Sequence, residues 1–188
     1  MEAILKREVI TSKSICRFFA VLASIAMITL GAYVRIPLPF TPVPITLQTF
    51  FVILSAALLG ARLGTAAQLG YIFLGASGLS MFSGTSGGAA YLLGPTGGYI
   101  LGFVLAGIII GKTVQGAKEN GFLVFGVFCF ADFTILACGA LWLKILLNLS
   151  AFDAMRLGFI PFIPGDLLKA AAATILYLSF SRRAREIL

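Results

Sequence analysis

From Leu63 to Gly111 the chain contains no Asp, Glu, Lys or Arg, and only Arg62 separates that stretch from a second charge-free run beginning at Ile36. A charge at the centre of a membrane helix costs about 2.5 to 3.5 kcal/mol on insertion scales, so charge-free runs mark where a chain can lie in hydrocarbon. Further runs cover 18 to 34, 120 to 131, 133 to 143 and 170 to 181. Charged residues make up 11% of the 188 positions and apolar ones 60%, against about 25% charged in a soluble domain. Too few charges remain to cover a water-facing surface, which defines an all-α integral membrane protein with one domain over residues 1–188.

A spanning helix needs about 20 residues, so the run from Leu63 to Gly111 must break. The segment 84–98, GTSGGAAYLLGPTGG, holds six glycines and Pro95, a composition of turns and close backbone approach. Six transmembrane helices are expected near 16–34, 45–61, 64–82, 97–112, 121–143 and 163–181.

Lys and Arg set the orientation. With the N-terminus cytoplasmic, the inner segments hold Lys6, Arg7, Lys13, Arg17, Arg62, Lys112, Lys118, Arg182, Arg183 and Arg185, and the outer ones only Arg35, Lys144 and Arg156. Both termini are therefore expected inside. A cleaved signal peptide over residues 1–34 would leave five helices, which cannot place both basic ends on one side. The +7 net charge is thereby a topology signal and not a nucleic-acid footprint. The outer loops are expected at 35–44, 83–98 and 144–162, and Pro37, Pro39, Pro42 and Pro44 stiffen the first into an extended segment suited to lie across a cavity mouth.

Composition also excludes functions. The chain has no histidine, which removes His-based triads, His-ligated zinc and imidazole acid–base chemistry. Cys16, Cys129 and Cys138 form no CxxC pair and read as buried small hydrophobes. Ala106–Thr113, AGIIIGKT, imitates a phosphate loop, but alanine stands where the motif needs glycine, and the segment ends a membrane helix. Any energy for a transport cycle must come from a partner or an ion gradient.

Polar groups inside the apolar runs are candidate functional residues. Asp166 opens the last helix, where a carboxylate also caps the backbone. Lys169 follows three residues later on the same face, on the side where the charge bias disfavours lysine, with Asp166 as its nearest partner. Asp132 falls near the middle of the fifth helix and must face the bundle interior. Thr46, Gln48 and Gln68 are milder cases that serve interhelical hydrogen bonds or a ligand equally well. Small residues form two stripes, Gly98, Gly102 and Ala106 on the fourth helix and Ala20, Ala23, Ser24 and Ala26 on the first, which permit close helix approach.

Together, Gly31–Thr49 (GAYVRIPLPFTPVPITLQT), Tyr91–Phe103 (YLLGPTGGYILGF), Gly139–Leu143 (GALWL) and Pro161–Ala171 (PFIPGDLLKAA) resemble the BioY family, the biotin-specific substrate-binding (S) components of energy-coupling-factor (ECF) transporters. The likeness runs over nearly the whole chain in order and spacing. It implies the six-helix S-component fold in a prokaryotic cell membrane, termini cytoplasmic, with a biotin pocket near the outer face closed by the first loop. It also implies a transmembrane scaffold subunit and two cytoplasmic ATPase subunits as partners, ATP being used by those partners, and no cofactor or catalysis in this chain. The scaffold contact of the family's first helix follows an AxxxA pattern, for which Ala20 and Ser24, beside Ala23, are the match here.

Biotin's chemistry suits the candidates. Asp166 can accept from ureido N–H groups, and Lys169 can bind an anionic or carbonyl oxygen by a charge-assisted bond, which of the two being open at this point. Phe82, Tyr91, Tyr99 and Trp142 are expected to wall the apolar rings, with Gln48 and the loop hydroxyls of Ser83, Thr85 and Ser86 as further polar contacts. The rival readings are a self-sufficient transporter coupled to protons through Asp132, and an S component for another vitamin. An intramembrane enzyme is disfavoured, because no nucleophile sits beside a base.

Overall fold

The computed structural model describes residues 2–117 and 120–187, with side chains described at 13–114, 116–117 and 120–181. Lys6, Arg7, Lys118, Arg182, Arg183 and Arg185, counted above as inner-side charges, lie outside these described side chains. The elements are α1 (Glu2–Tyr33), β1 (Arg35–Ile36), β2 (Ile45–Thr46), α2 (Gln48–Ala76), α3 (Ala89–Leu92), α4 (Gly97–Ala117), α5 (Gly121–Leu146), α6 (Ala151–Gly158) and α7 (Ile163–Ile187), the last preceded by a 3-10 turn, Ile160–Phe162.

Gly60 decides the topology. Its backbone, at φ 74° and ψ 179°, lies in a region essentially restricted to glycine, and it folds α2 into an antiparallel helical hairpin. Gln48 Nε2 reaches Tyr71 Oη at 2.6 Å and Gln68 Nε2 reaches the Val52 carbonyl at 3.5 Å, whereas positions 23 apart on a straight helix would be separated by about 35 Å. A Cβ on Gly64 would stand 2.7 Å from Ala56 Cα, so the two arms meet backbone to backbone.

Five described helical stretches are long and apolar enough to cross a membrane. The stretch that contains α2 is a hairpin, so the chain makes six passages. An even number returns both ends of the chain to one side. The expected boundary between the second and third helices, at 62–63, moves to Gly60, because the glycine conformation and not the charge of Arg62 ends the helix. The third helix stops at Ala76 instead of 82, where Ser77 and Gly78 turn the chain and Phe82 pairs with Ser86 in an isolated bridge.

The first arm of α2, Gln48 to Leu59, is about 18 Å long, short of the roughly 30 Å of hydrocarbon. The chain ahead of it fills the difference: β1 and β2 pair antiparallel, Arg35 opposite Thr46, and the tip between them folds inward to bury Thr41 and Val43. This is the proline-rich segment, and it forms a lid at the end of the bundle opposite Gly60.

α2 packs on α1, α4 and α7, while α5 packs on α4, α6 and α7. The expected small-residue stripe on α4 lies in these contacts. Cβ atoms on Gly98 and Gly102 would stand 2.2 Å from Trp142 Cβ and 3.0 Å from Ile135 Cα of α5, and one on Gly111 2.2 Å from the Ala61 nitrogen of α2. Large apolar side chains such as Phe19, Phe73, Phe130 and Ile175 are exposed on the periphery, as a surface facing lipid requires. The segment 144–162, expected as a loop, contains α6. Its start is capped by Ser150, whose Oγ accepts from the Asp153 backbone N–H at 3.1 Å and donates to the Asp153 carboxylate at 2.6 Å, in a Ser-x-x-Asp spacing typical of a helix start.

Candidate functional site

Under the lid, the first turns of α2 and α7 face each other. The 3-10 turn at Ile160–Phe162 directs α7 inward so that Asp166, in its first turn, is buried. Lys169 Nζ donates to Asp166 Oδ1 at 2.8 Å and to Thr49 Oγ1 at 3.0 Å, and Thr49 Oγ1 lies 3.2 Å from the same carboxylate oxygen, to which it donates. Two of these bonds converge on Oδ1, and the third closes a triangle through Thr49. Among the described residues, Oδ2 and one Nζ hydrogen are left for a ligand.

The adjacent polar group is held as firmly. Thr46 Oγ1 donates to Gln48 Oε1 at 3.2 Å, Gln48 Nε2 donates to Tyr71 Oη at 2.6 Å, and Tyr71 Oη donates to the Met81 carbonyl at 3.1 Å. Gln48 thereby presents a fixed amide beside the ion pair. The ion pair, Thr49, Gln48 and Thr46 form the polar side of a cavity whose lid residues are Val43 and Pro44. Its apolar side is made by Tyr99, Ile100 and Phe103 of α4, Leu136 of α5, and Phe162, with Tyr91, Ser83 and Thr96 toward the lid end.

Of the expected substrate-binding residues, Asp166, Lys169, Gln48, Ser83, Tyr91 and Tyr99 line this cavity. Tyr99 is fixed by donating to the Gly158 carbonyl at 2.6 Å, which uses α6 as its support. Phe82, Trp142 and Ser86 do not line it. Phe82 is fully buried behind Tyr91, stacked on it at 4.8 Å between ring centroids, because Gly75 leaves room for its ring. Trp142 turns away and donates Nε1–H to the Gly94 carbonyl at 2.9 Å, pinning the 83–98 loop. Ser86 accepts the Phe82 backbone N–H through its carbonyl and borders a wider mouth outside the cavity; Thr85 is exposed and bonds its neighbour Gly84. Asp132 is buried just outside the cavity lining, one helical turn before Leu136 and within electrostatic reach of Asp166 and Lys169, with neither carboxylate oxygen meeting a hydrogen-bond donor among the described residues.

Thr49 was not among the expected residues. It is one of many hydroxyls in the apolar segments, and its partner lies 117 positions away, so no spacing in the sequence links the two. Phe162 and Leu136 were missed for the same reason, as apolar residues among many. On α1, Ala20 and Ser24 are half-buried and Ala23 is exposed, with Ser24 Oγ bonded to the Ala20 carbonyl at 2.8 Å.

Six helical passages around a lidded cavity, with a buried ion pair on one wall and aromatic rings on the other, define a membrane-embedded binding protein for a small, partly polar ligand. A model described as the BioY family matches residues 6–186, and the chain belongs to that family. It is 39% identical over 167 residues to the biotin transporter BioY of Thermotoga maritima, spanning 84% of this chain and 90% of that one. To the biotin transporter BioY2 of Lactococcus lactis subsp. cremoris it is 36% identical over 166 residues, spanning 86% and 91%. The crystal structure at 2.1 Å of the S-component for biotin from an ECF-type ABC transporter superposes with a TM-score of 0.79 at 28% identity, covering 97% of this chain and 95% of that one.

Proposed function

We propose that this chain is the biotin-binding, substrate-specific subunit of an ECF transporter and takes up biotin across the cell membrane. The observation that carries the reading is the Asp166, Lys169 and Thr49 cluster under the lid, in a chain similar over 84% of its length to a biotin transporter. The ureido ring offers two N–H donors and one carbonyl oxygen. Asp166 Oδ2 accepts the first kind and the remaining Nζ hydrogen of Lys169 meets the second, both as charge-assisted bonds. The sulfur ring lies against Tyr99, Phe103 and Phe162.

The partners are a transmembrane scaffold subunit and two cytoplasmic ATPases, and both termini of this chain face the cytoplasm. Ala106–Thr113 lies inside the helix α4, where it cannot form the strand-to-helix loop that cradles phosphate, so the energy source is assigned to the partners. α1 packs on α2, and its Ala20, Ala23 and Ser24 stripe offers a small-residue surface to the scaffold helix.

Equilibrium binding of biotin, thiamin and riboflavin to the purified protein tests the assignment. Biotin is expected to bind and to be displaced by neither of the others. No biotin binding, or displacement by either competitor, overturns it. For the partners, biotin accumulation in liposomes is expected only when the ATPase module is present. Accumulation by this chain alone along a pH gradient contradicts that part.

A further inference from the structure

The contacts assigned above occupy one end of the ligand and leave its pentanoate carboxylate without a partner. Lys169 is committed to Asp166 and Thr49 at the cavity floor. The cavity itself is about 50 Å³, room for a few waters and too little for fused rings and their chain together. It continues past Pro44, Ser83, Tyr91 and Thr96, which line both spaces, into a mouth of about 270 Å³. A ligand with its rings on the floor extends its chain into that mouth.

Among the described residues, Arg35 is the one cation lining the mouth, and no carboxylate lines it. Two features aim the side chain there. Arg35 sits directly opposite Thr46 in the β1–β2 ladder, and directly opposed residues of an antiparallel pair share a face; Thr46 lines the inner cavity. The guanidinium also rests against Gly84, where a Cβ would stand 2.4 Å from Nη1 and where φ is +78°. The loop backbone at Gly84 thus forms a seat that a side chain would fill.

We propose that Arg35 recognises the carboxylate of the transported ligand and makes the site selective for the anion over its neutral amide. This rests on the biotin reading above. A planar guanidinium presents paired N–H donors that match a carboxylate. Because the residue is exposed and its field is screened by water, it contributes selectivity more than the bulk of the affinity. The lid segment that begins with β1 at Arg35 continues through Val43 and Pro44 to β2, so the bond also ties a bound ligand to the lid.

The test compares equilibrium binding of biotin and biotinamide to the wild type, Arg35→Gln and Arg35→Lys. Wild type is expected to prefer biotin by about tenfold, of the order of a charge-assisted bond. Arg35→Gln is expected to weaken biotin by about that factor while leaving biotinamide within twofold, so that the preference vanishes, and Arg35→Lys is expected to retain part of it. Retained biotinamide binding shows that the variants are folded. An unchanged preference in Arg35→Gln, or an equal loss for both ligands, overturns the assignment to Arg35 and leaves the biotin reading standing. Wild type that binds neither ligand overturns both.

Discussion

Thr49 donates to Asp166 at 3.2 Å across 117 positions of sequence, and Lys169 donates to both. The triangle joins the first turn of α2 to the first turn of α7. It also changes the meaning of the Asp166, Lys169 spacing, which alone describes a helical pair whose lysine reaches for the surface. Here the side chains are 4% and 12% exposed. Taking such a pair out of water is costly unless further bonds satisfy both partners. Thr49 supplies one to each, and the cavity leaves the rest for a ligand.

Thr49→Val keeps the shape of the side chain and removes its hydroxyl. One hydrogen bond is worth about 1 kcal/mol net, so biotin affinity measured by calorimetry is expected to fall about fivefold to tenfold with the fold retained. Unchanged affinity would remove Thr49 from the site.

Gly60→Ala places a side chain at φ 74° and ψ 179°. Such a position costs about 1 to 3 kcal/mol in a residue other than glycine, and at about 2 to 4 °C per kcal/mol in a chain of this size the midpoint of thermal unfolding is expected to drop by roughly 2 to 12 °C. An unchanged midpoint would mean that the α2 hairpin does not depend on this conformation.

Asp132 separates the uptake mechanisms. It is buried outside the cavity lining, and its oxygens meet no donor among the described residues, so Asp132→Asn is expected to leave biotin binding within twofold. Uptake by the assembled ATP-driven transporter is expected to persist, and thermal stability to hold or rise, since a buried carboxylate is expensive in a membrane interior. Abolished uptake with intact binding would favour proton coupling through Asp132.

Trp142→Phe tests the division between lining and support. Trp142 is bonded to the Gly94 carbonyl and stands outside the cavity. The variant is expected to lose about 1 kcal/mol of stability while biotin affinity changes by less than threefold. A tenfold loss of affinity would place Trp142 against the ligand.

The membrane class and the candidate lysine were legible from charge, because the bilayer makes each charge expensive enough to require a reason, and the six passages from charge together with the glycines and Pro95 of 84–98. The stiff lid was legible in Pro37, Pro39, Pro42 and Pro44, whose φ angles are set by their rings. Thr49 was not, because its role exists only once α2 and α7 meet. The same holds for Phe82 and Trp142. Aromatic character marks both as candidates for a wall, but only the room left at Gly75 and the Gly94 carbonyl that Trp142 bonds turn them away from the cavity. Gly60 was hidden among the 21 glycines of the sequence, since composition does not show which one adopts a positive φ. The start of α6 was readable in the Ser-x-x-Asp spacing of Ser150 and Asp153, a short signal set in the mostly apolar stretch ILLNLSAFDAMRLGF.

The most direct test of the whole account is equilibrium biotin binding to purified wild type, Asp166→Asn and Lys169→Ala in parallel. Asn replaces a charged acceptor by a neutral amide, and Ala removes the charged donor while leaving a buried carboxylate unpaired. The account predicts tight binding in the wild type and a loss of at least tenfold in each variant. Affinity unchanged in both variants would contradict it.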